Sequence, residues 1–331
     1  MKKRYLLMAG VAAAFLWRRL RNKKYPLAEG YPLINKFVMP KALLSTHMLR
    51  IANRRLASMK LPAPPRGIKR LTKWISTEQK EKIQITIYRP ETLHRTLPCL
   101  VYFHGGGFCL EGAPYIHEYM AKYAQKAGCQ VAFVHYRTSG EHPFPVPFTD
   151  CWSGLEYIWE NASNLHIDPE RIAVGGDSAG GTLAAACALR NRAEAKGNLC
   201  FQMLIYPVLD ARMKTESMKK CKDSPVWNAR LSEKMWKIYL KNGTCGWRSY
   251  ASPALSKKFR GLPPAYIEVE QYDCLHDEGV NYWKALKRAG VPAQLHDVKG
   301  TFHGFDVFTK TEISKKMVDV RCRALYRAFW E

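Results

Sequence analysis

The sequence predicts an α/β fold: a mostly parallel central sheet with helices on both faces. Two observations predict it. Apolar runs recur at 97–103, 131–136, 201–209 and 265–269. Continuous apolar strands imply burial on both faces, as in a parallel sheet. Amphipathic or alanine-rich stretches separate these runs, which is the alternation of a doubly wound sheet. The 331 residues are 47% hydrophobic. That excludes a disordered chain and leaves no need for a disulfide-stapled mini-domain.

The elements follow in order. Residues 1–24 open with Met1-Lys2-Lys3-Arg4, continue through an apolar run at 5–17 and end in the basic cluster 18–24. The run has 13 residues, fewer than the roughly 20 of a full membrane span. Basic residues at both ends can extend its reach by snorkelling. A short membrane anchor is the preferred reading, ahead of a packed helix and a cleaved signal. The basic flanks favour anionic lipid and a body in the cytoplasm, attached to the inner face of the membrane. Residues 25–75 are expected to form N-terminal helices of a cap. The breaker cluster Leu61-Pro62-Ala63-Pro64-Pro65-Arg66-Gly67 marks a boundary inside this region.

From residue 76 the catalytic body is expected to run to 331. Residues 83–88 alternate with period two, as a half-buried strand does. Strands are expected at 97–103, 131–136, 171–176, 201–209 and 265–269, with a weaker one at 294–298. Helices are expected at 147–161, 179–195, 276–289 and 311–329. Residues 211–247 are lysine-rich and too long for an ordinary connection between strands, which suits a lid or cap insert.

Charge divides unevenly. The chain carries +24, from 52 Lys and Arg against 28 Asp and Glu. Residues 1–75 hold 18 basic residues and one acid, Glu29, which leaves +7 for the other 256. The charge therefore bears on where the protein sits more than on its chemistry. No nucleic-acid partner is expected, because no recognised binding module accompanies the charge. Ten cysteines are scattered without a CxxC pair, so no zinc ribbon or redox dithiol is expected. Such cysteines usually act as small core residues in a reducing compartment.

Four patterns carry chemistry. His104-Gly105-Gly106-Gly107-Phe108 follows a buried strand. Gly176-Asp177-Ser178-Ala179-Gly180-Gly181 joins a strand to an alanine-rich helix. In that context Gly-x-Ser-x-Gly is a nucleophile elbow. The turn is so tight that side chains two positions either side of the serine would clash, and the helix N-terminus aims N–H groups at the site. A serine needs a base, and His303, in a glycine-flanked loop after the last strand, is the candidate. His296 lies within a strand, His276 opens a helix, and His142 lies in a proline-rich loop. The imidazole needs a carboxylate. Asp273 is preferred for its place at a strand end, with Asp277 and Glu278 as alternatives in the first helical turn. Ser, then Asp, then His is the order found in α/β-hydrolases. Backbone N–H groups of Gly105, Gly106, Gly107 and Ala179 can serve as an oxyanion hole.

Together with Tyr136-Arg137-Thr138-Ser139-Gly140-Glu141, these motifs resemble those of the hormone-sensitive-lipase-like α/β-hydrolases, the bacterial acetyl esterase and carboxylesterase group. The resemblance runs from about residue 80 to the end. It implies Ser178 as nucleophile, His303 as base, Asp273 as acid, and an oxyanion hole at the glycine loop plus Ala179. It also implies a helical cap, a short-chain acyl ester as small-molecule substrate, and no metal or organic cofactor. Thr138-Ser139-Gly140 replaces the usual Leu-Ala-Pro, and Cys274 replaces a frequent proline. Neither change touches a reacting atom. The competing expectation is a non-catalytic ligand-binding protein on the same scaffold. Such proteins usually lose a triad member, and this chain keeps all three.

Overall fold

A computed structural model of the chain describes residues 24–31, 34, 38–91 and 96–331. The apolar run at 5–17, and with it nearly all of the expected anchor, lies outside the described residues. Among those residues no helix is long and apolar enough to cross a membrane.

Eight strands form one sheet in the order β1-β2-β4-β3-β5-β6-β7-β8. They are β1 (Ile68–Ser76), β2 (Lys82–Pro90), β3 (Leu97–Phe103), β4 (Gln130–His135), β5 (Ile167–Asp177), β6 (Phe201–Ile205), β7 (Ala265–Glu270) and β8 (Ala293–Val298). β1 and β2 run antiparallel at one edge, and every pairing from β4 through β8 is parallel. The helices are α1 (Thr46–Ser58), α2 (Pro114–Ala127), α3 (Val146–Glu160), α4 (Ala179–Glu194), α5 (Glu216–Lys220), α6 (Ala229–Tyr239), α7 (His276–Arg288) and α8 (Glu312–Trp330), with short single turns between some of them.

The two faces of the sheet feed two cores. Along β3, Cys99, Val101 and Phe103 enter the core beneath α3, α4 and α7. Leu100 and Tyr102 enter the core beneath α2 and α8. All seven β3 residues are buried, which is why the strand reads as one unbroken apolar run. Ends are set locally. Pro114 starts α2 and Gly128, at φ 63°, stops it. Asn228 caps α6 by accepting from the N–H groups of Arg230 and Leu231.

Two expectations need correction. Cap helices do not fill 25–75: α1 and a preceding single turn are helical, but residues 68–76 form β1, an edge strand paired with β2. Lys69, Arg70 and Lys73 lie on that strand, and most of its side chains face solvent, so it lacks the apolar signature of its neighbours. The sequence reading also passed over α2. Of the ten thiols, eight are buried, only Cys245 is exposed, and none is in a disulfide.

Candidate active site

Parallel strands deliver their following loops to one edge of the sheet. Ser178 follows β5, Asp273 follows β7, His303 follows β8, and the glycine loop follows β3. That edge is where the sequence motifs meet.

The elbow is built by exclusion. A Cβ at Gly180 would lie 1.9 Å from the Phe103 carbonyl oxygen, and one at Gly176 would lie 2.4 Å from the Gly180 backbone. No side chain fits either place. Ser178 sits between them at φ 54° and ψ −118°, a backbone state that non-glycine residues hold only under constraint. It is fixed by its own N–H, which donates to the Ile205 carbonyl at 2.8 Å.

Ser178 Oγ lies 2.8 Å from His303 Nε2. His303 Nδ1 lies 2.7 Å from Asp273 Oδ2. A carboxylate only accepts, so Nδ1 carries the proton and Nε2 keeps its lone pair toward the serine. Asp273 is held in turn by the Leu275 N–H, which donates to Oδ1 at 2.9 Å. The three side chains are 5%, 1% and 5% exposed for Ser178, Asp273 and His303, so bulk water does not loosen these bonds.

The competitors are engaged elsewhere. Asp277 faces His276 and the Ser217 N–H. Glu278 is buried and accepts from the N–H groups of Leu209 and Asp210. His276 lies between Asp277 and Asp297. His296 sits on β8 beside the Tyr266 ring, and His142 lines a cleft against α1.

The expected oxyanion hole contracts. The Gly105 N–H donates to Asp177 Oδ1 at 3.0 Å, so it is already spent. A Cβ at Gly105 would lie 2.3 Å from Asp177 Oδ2, which explains this glycine as room for a carboxylate. The N–H groups of Gly106, Gly107 and Ala179 have no partner among the described residues. Ala179 opens α4, whose N-terminal dipole points at the same place. Asp177 also accepts from the Tyr102 hydroxyl at 2.9 Å. Burial pushes its carboxyl up to about 6.

Several residues that sequence reasoning passed over shape this site. Trp227, from the insert, roofs the glycine loop: a Cβ on Gly107 would lie 2.8 Å from its ring and 3.4 Å from Met235 Cγ. The Trp227 ring lies 5.9 Å from that of His303 and is pinned by its N–H to Ser232 Oγ at 2.8 Å. Asn53 on α1 clamps the far end of the glycine loop. Its Nδ2 donates to the Cys109 carbonyl at 2.9 Å, and its Oδ1 accepts from the Glu111 N–H at 3.1 Å. Tyr206 meets His303 edge-on at 4.9 Å. One of three tryptophans in a lysine-rich insert and a lone asparagine in a helix carry no motif, so no local pattern could have flagged them.

The chain is similar to known proteins over most of its length. The family profile of the alpha/beta hydrolase fold matches residues 100–307. The chain belongs to the hormone-sensitive-lipase-like α/β-hydrolases. The hydrolase is 32% identical to carboxylesterase NlhH of Mycobacterium tuberculosis, over 80% of this chain and 85% of that one. It is 32% identical to an ethyl acetate hydrolase of Pseudomonas putida, over 70% of this chain and 74% of that one. Among solved structures, esterase LipW from Mycobacterium marinum superposes with a TM-score of 0.81 at 29% identity, covering 92% of the hydrolase and 96% of LipW.

Proposed function

We propose that the hydrolase is a serine carboxylesterase that cleaves short-chain acyl esters through an acyl-enzyme. The observation that carries this reading is the unbroken hydrogen-bonded line from Ser178 through His303 to Asp273, facing three unpartnered N–H groups.

In this reading His303 takes the Ser178 proton as Oγ attacks the ester carbonyl. Asp273 holds the imidazole in the required tautomer and stabilises its protonated form. The carbonyl oxygen, now negative, sits among the N–H groups of Gly106, Gly107 and Ala179. His303 returns its proton to the alcohol oxygen as the C–O bond breaks. Water then enters, loses a proton to His303 and attacks the acyl carbon. Ser178 leaves with that proton and the free acid is released.

Chain length follows from the roof. Trp227 and Met235 close over Gly107, which leaves little depth beside the reacting carbonyl and favours small acyl groups.

The test is a series of aryl esters and amides of increasing acyl length. Wild type should turn over the acetyl and butyryl esters fastest. Ser178→Ala should retain its fold and lose on the order of 10⁴-fold or more in kcat. An incubation with a fluorophosphonate should add mass to wild type at Ser178 alone. No turnover of any ester, or undiminished turnover in Ser178→Ala, overturns the reading.

A further inference from the structure

A second cavity lies away from the triad, and its chemistry is different. It has a volume of about 770 Å³ and sits between the last turn of α4 and residues 246–258. A smaller cavity of about 460 Å³ adjoins it, sharing Arg192, Lys257 and Lys258 as a common wall. α4 begins beside Ser178 and reaches this groove at Arg192, ~20 Å along its axis at the usual helical rise. The groove is therefore separate from the ester site.

Six cations converge here without a partner: Arg192, Arg248, Lys257, Lys258, Arg260 and Arg288. None forms an ion pair among the described residues, whereas Arg212 nearby is fully engaged by Asp210. No aspartate or glutamate lines either cavity. Arg192 Nε is buried and has no hydrogen-bond acceptor. Outside residues 1–75 the whole chain has an excess of only +7, so these six side chains account for nearly all of it in one groove. Like charges gathered this way repel each other and leave donors unmet.

Trp247 and Tyr250 add an aromatic wall, with ring centroids 6.0 Å apart. Trp247 is 39% exposed, a large apolar face left open beside the cations.

We propose that this groove binds a phosphate-rich organic anion, one that carries several phosphate oxygens and a flat apolar portion. Single carboxylates carry too little charge to satisfy six cations. Clustered phosphates supply it compactly and match the guanidinium fork of arginine. The ring of the ligand lies against Trp247, where stacking and cation–π contacts add to the ionic ones. A free nucleotide-like molecule supplies both the phosphates and the flat portion; a lipid headgroup supplies clustered phosphates alone and is the competing source.

The experiment uses the full chain. Adenosine triphosphate and inorganic tripolyphosphate are titrated calorimetrically. Vesicles of phosphatidylcholine, with and without phosphatidylinositol bisphosphate, are tested by flotation. The groove variant is Lys257→Glu with Lys258→Glu, and the charge-matched control is Lys315→Glu with Lys316→Glu on α8. Adenosine triphosphate should bind saturably and more tightly than tripolyphosphate. The groove variant should lose about tenfold or more, as expected for two charged hydrogen bonds, while the control keeps wild-type affinity. Binding to the phosphoinositide vesicles alone, lost in the groove variant alone, assigns the phosphates to a lipid headgroup and overturns the nucleotide-like ligand. No saturable binding to any probe, equal affinity for the two free phosphates, or equal weakening in the control overturns the proposal.

Discussion

Gly105 and Asp177 hold each other across two parallel strands: the glycine N–H donates to the aspartate at 3.0 Å. Their strands, β3 and β5, pair in parallel with Phe103 opposite Gly176. Asp177, the last residue of β5, therefore comes level with the loop that leaves β3. The contact ties the start of the glycine loop to the residue before Ser178, so the two parts of the proposed oxyanion hole share one brace.

Removing the brace should cost catalysis more than binding. Asp177→Ala leaves the Gly105 N–H and the Tyr102 hydroxyl without their acceptor and frees the loop that carries Gly106 and Gly107. We expect kcat on an aryl acetate to fall about 10- to 100-fold, somewhat less than for outright loss of an oxyanion donor, with KM little changed. Steady-state kinetics checks this. A kcat within about twofold of wild type would show that the brace is dispensable.

In the proposed reaction Trp227 bounds the space for the acyl group. Trp227→Ala removes the ring above Gly107 and beside His303. The ratio of octanoyl to acetyl ester kcat/KM should rise about tenfold or more, since each added methylene gains roughly 0.8 kcal/mol of burial once there is room. An unchanged ratio would place the acyl chain elsewhere.

Behind the histidine lies a buried ionic lattice. Arg321 on α8 bonds Glu268 on β7 through two nitrogens and Asp306 through a third at 2.6 Å. Asp306 also accepts from the Tyr206 hydroxyl at 2.7 Å, and the Tyr206 ring abuts His303. Arg321→Met should destabilise the fold by about 3–5 kcal/mol, because two buried carboxylates lose their partner. Urea unfolding measures that loss. A value below ~1 kcal/mol would show that the lattice adds little to the fold.

Acid should weaken the packing of three buried histidines. Burial pushes His104 and His117 down to about 3, and His135 down to about 4, from an ordinary 6.5. The three rings cluster around Phe133. Each is neutral in the folded state over a range where the unfolded chain takes up a proton. Their contribution is therefore complete above about 6.5 and is lost as pH falls from there toward 4. Acids raised by burial oppose the trend: Asp177 at about 6, Glu111 at about 7, and Glu270 and Glu278 favour the fold when protonated and stop doing so as pH rises through their folded values. The histidine share is read by difference. The urea midpoint of wild type minus that of His117→Asn should fall as pH drops from about 6.5 toward about 4. A difference that stays flat across this window would contradict the burial effect.

The placing of the candidate residues is legible because they sit at strand ends. Ser178, Asp273 and His303 each follow a strand, and the Ser178 elbow carries glycines that tolerate no substitute. Buried parallel strands announce themselves by apolar runs. The exposed edge strand β1 does not, and it hid among basic residues. Gly105 was assigned to the oxyanion hole because three consecutive glycines look equivalent in one dimension. Only the neighbouring strand shows that one of the three is spoken for. Trp227 and Asn53 act across the fold, on partners far away in the chain, and no local spacing encodes such a contact.

The roof over the nucleophile is tied to the start of the described chain. Lys24 and Tyr25 both bond Asp223, and Lys41 bonds Glu233 on α6. Asp223 stands one residue before Ser224, whose hydroxyl holds the Trp227 carbonyl at 2.7 Å. Tension applied at residue 24 thus arrives at Trp227 within a few bonds, without passing through the sheet. Residues 24 and 25 are thereby fastened to the stretch whose Trp227 stands over the glycine loop.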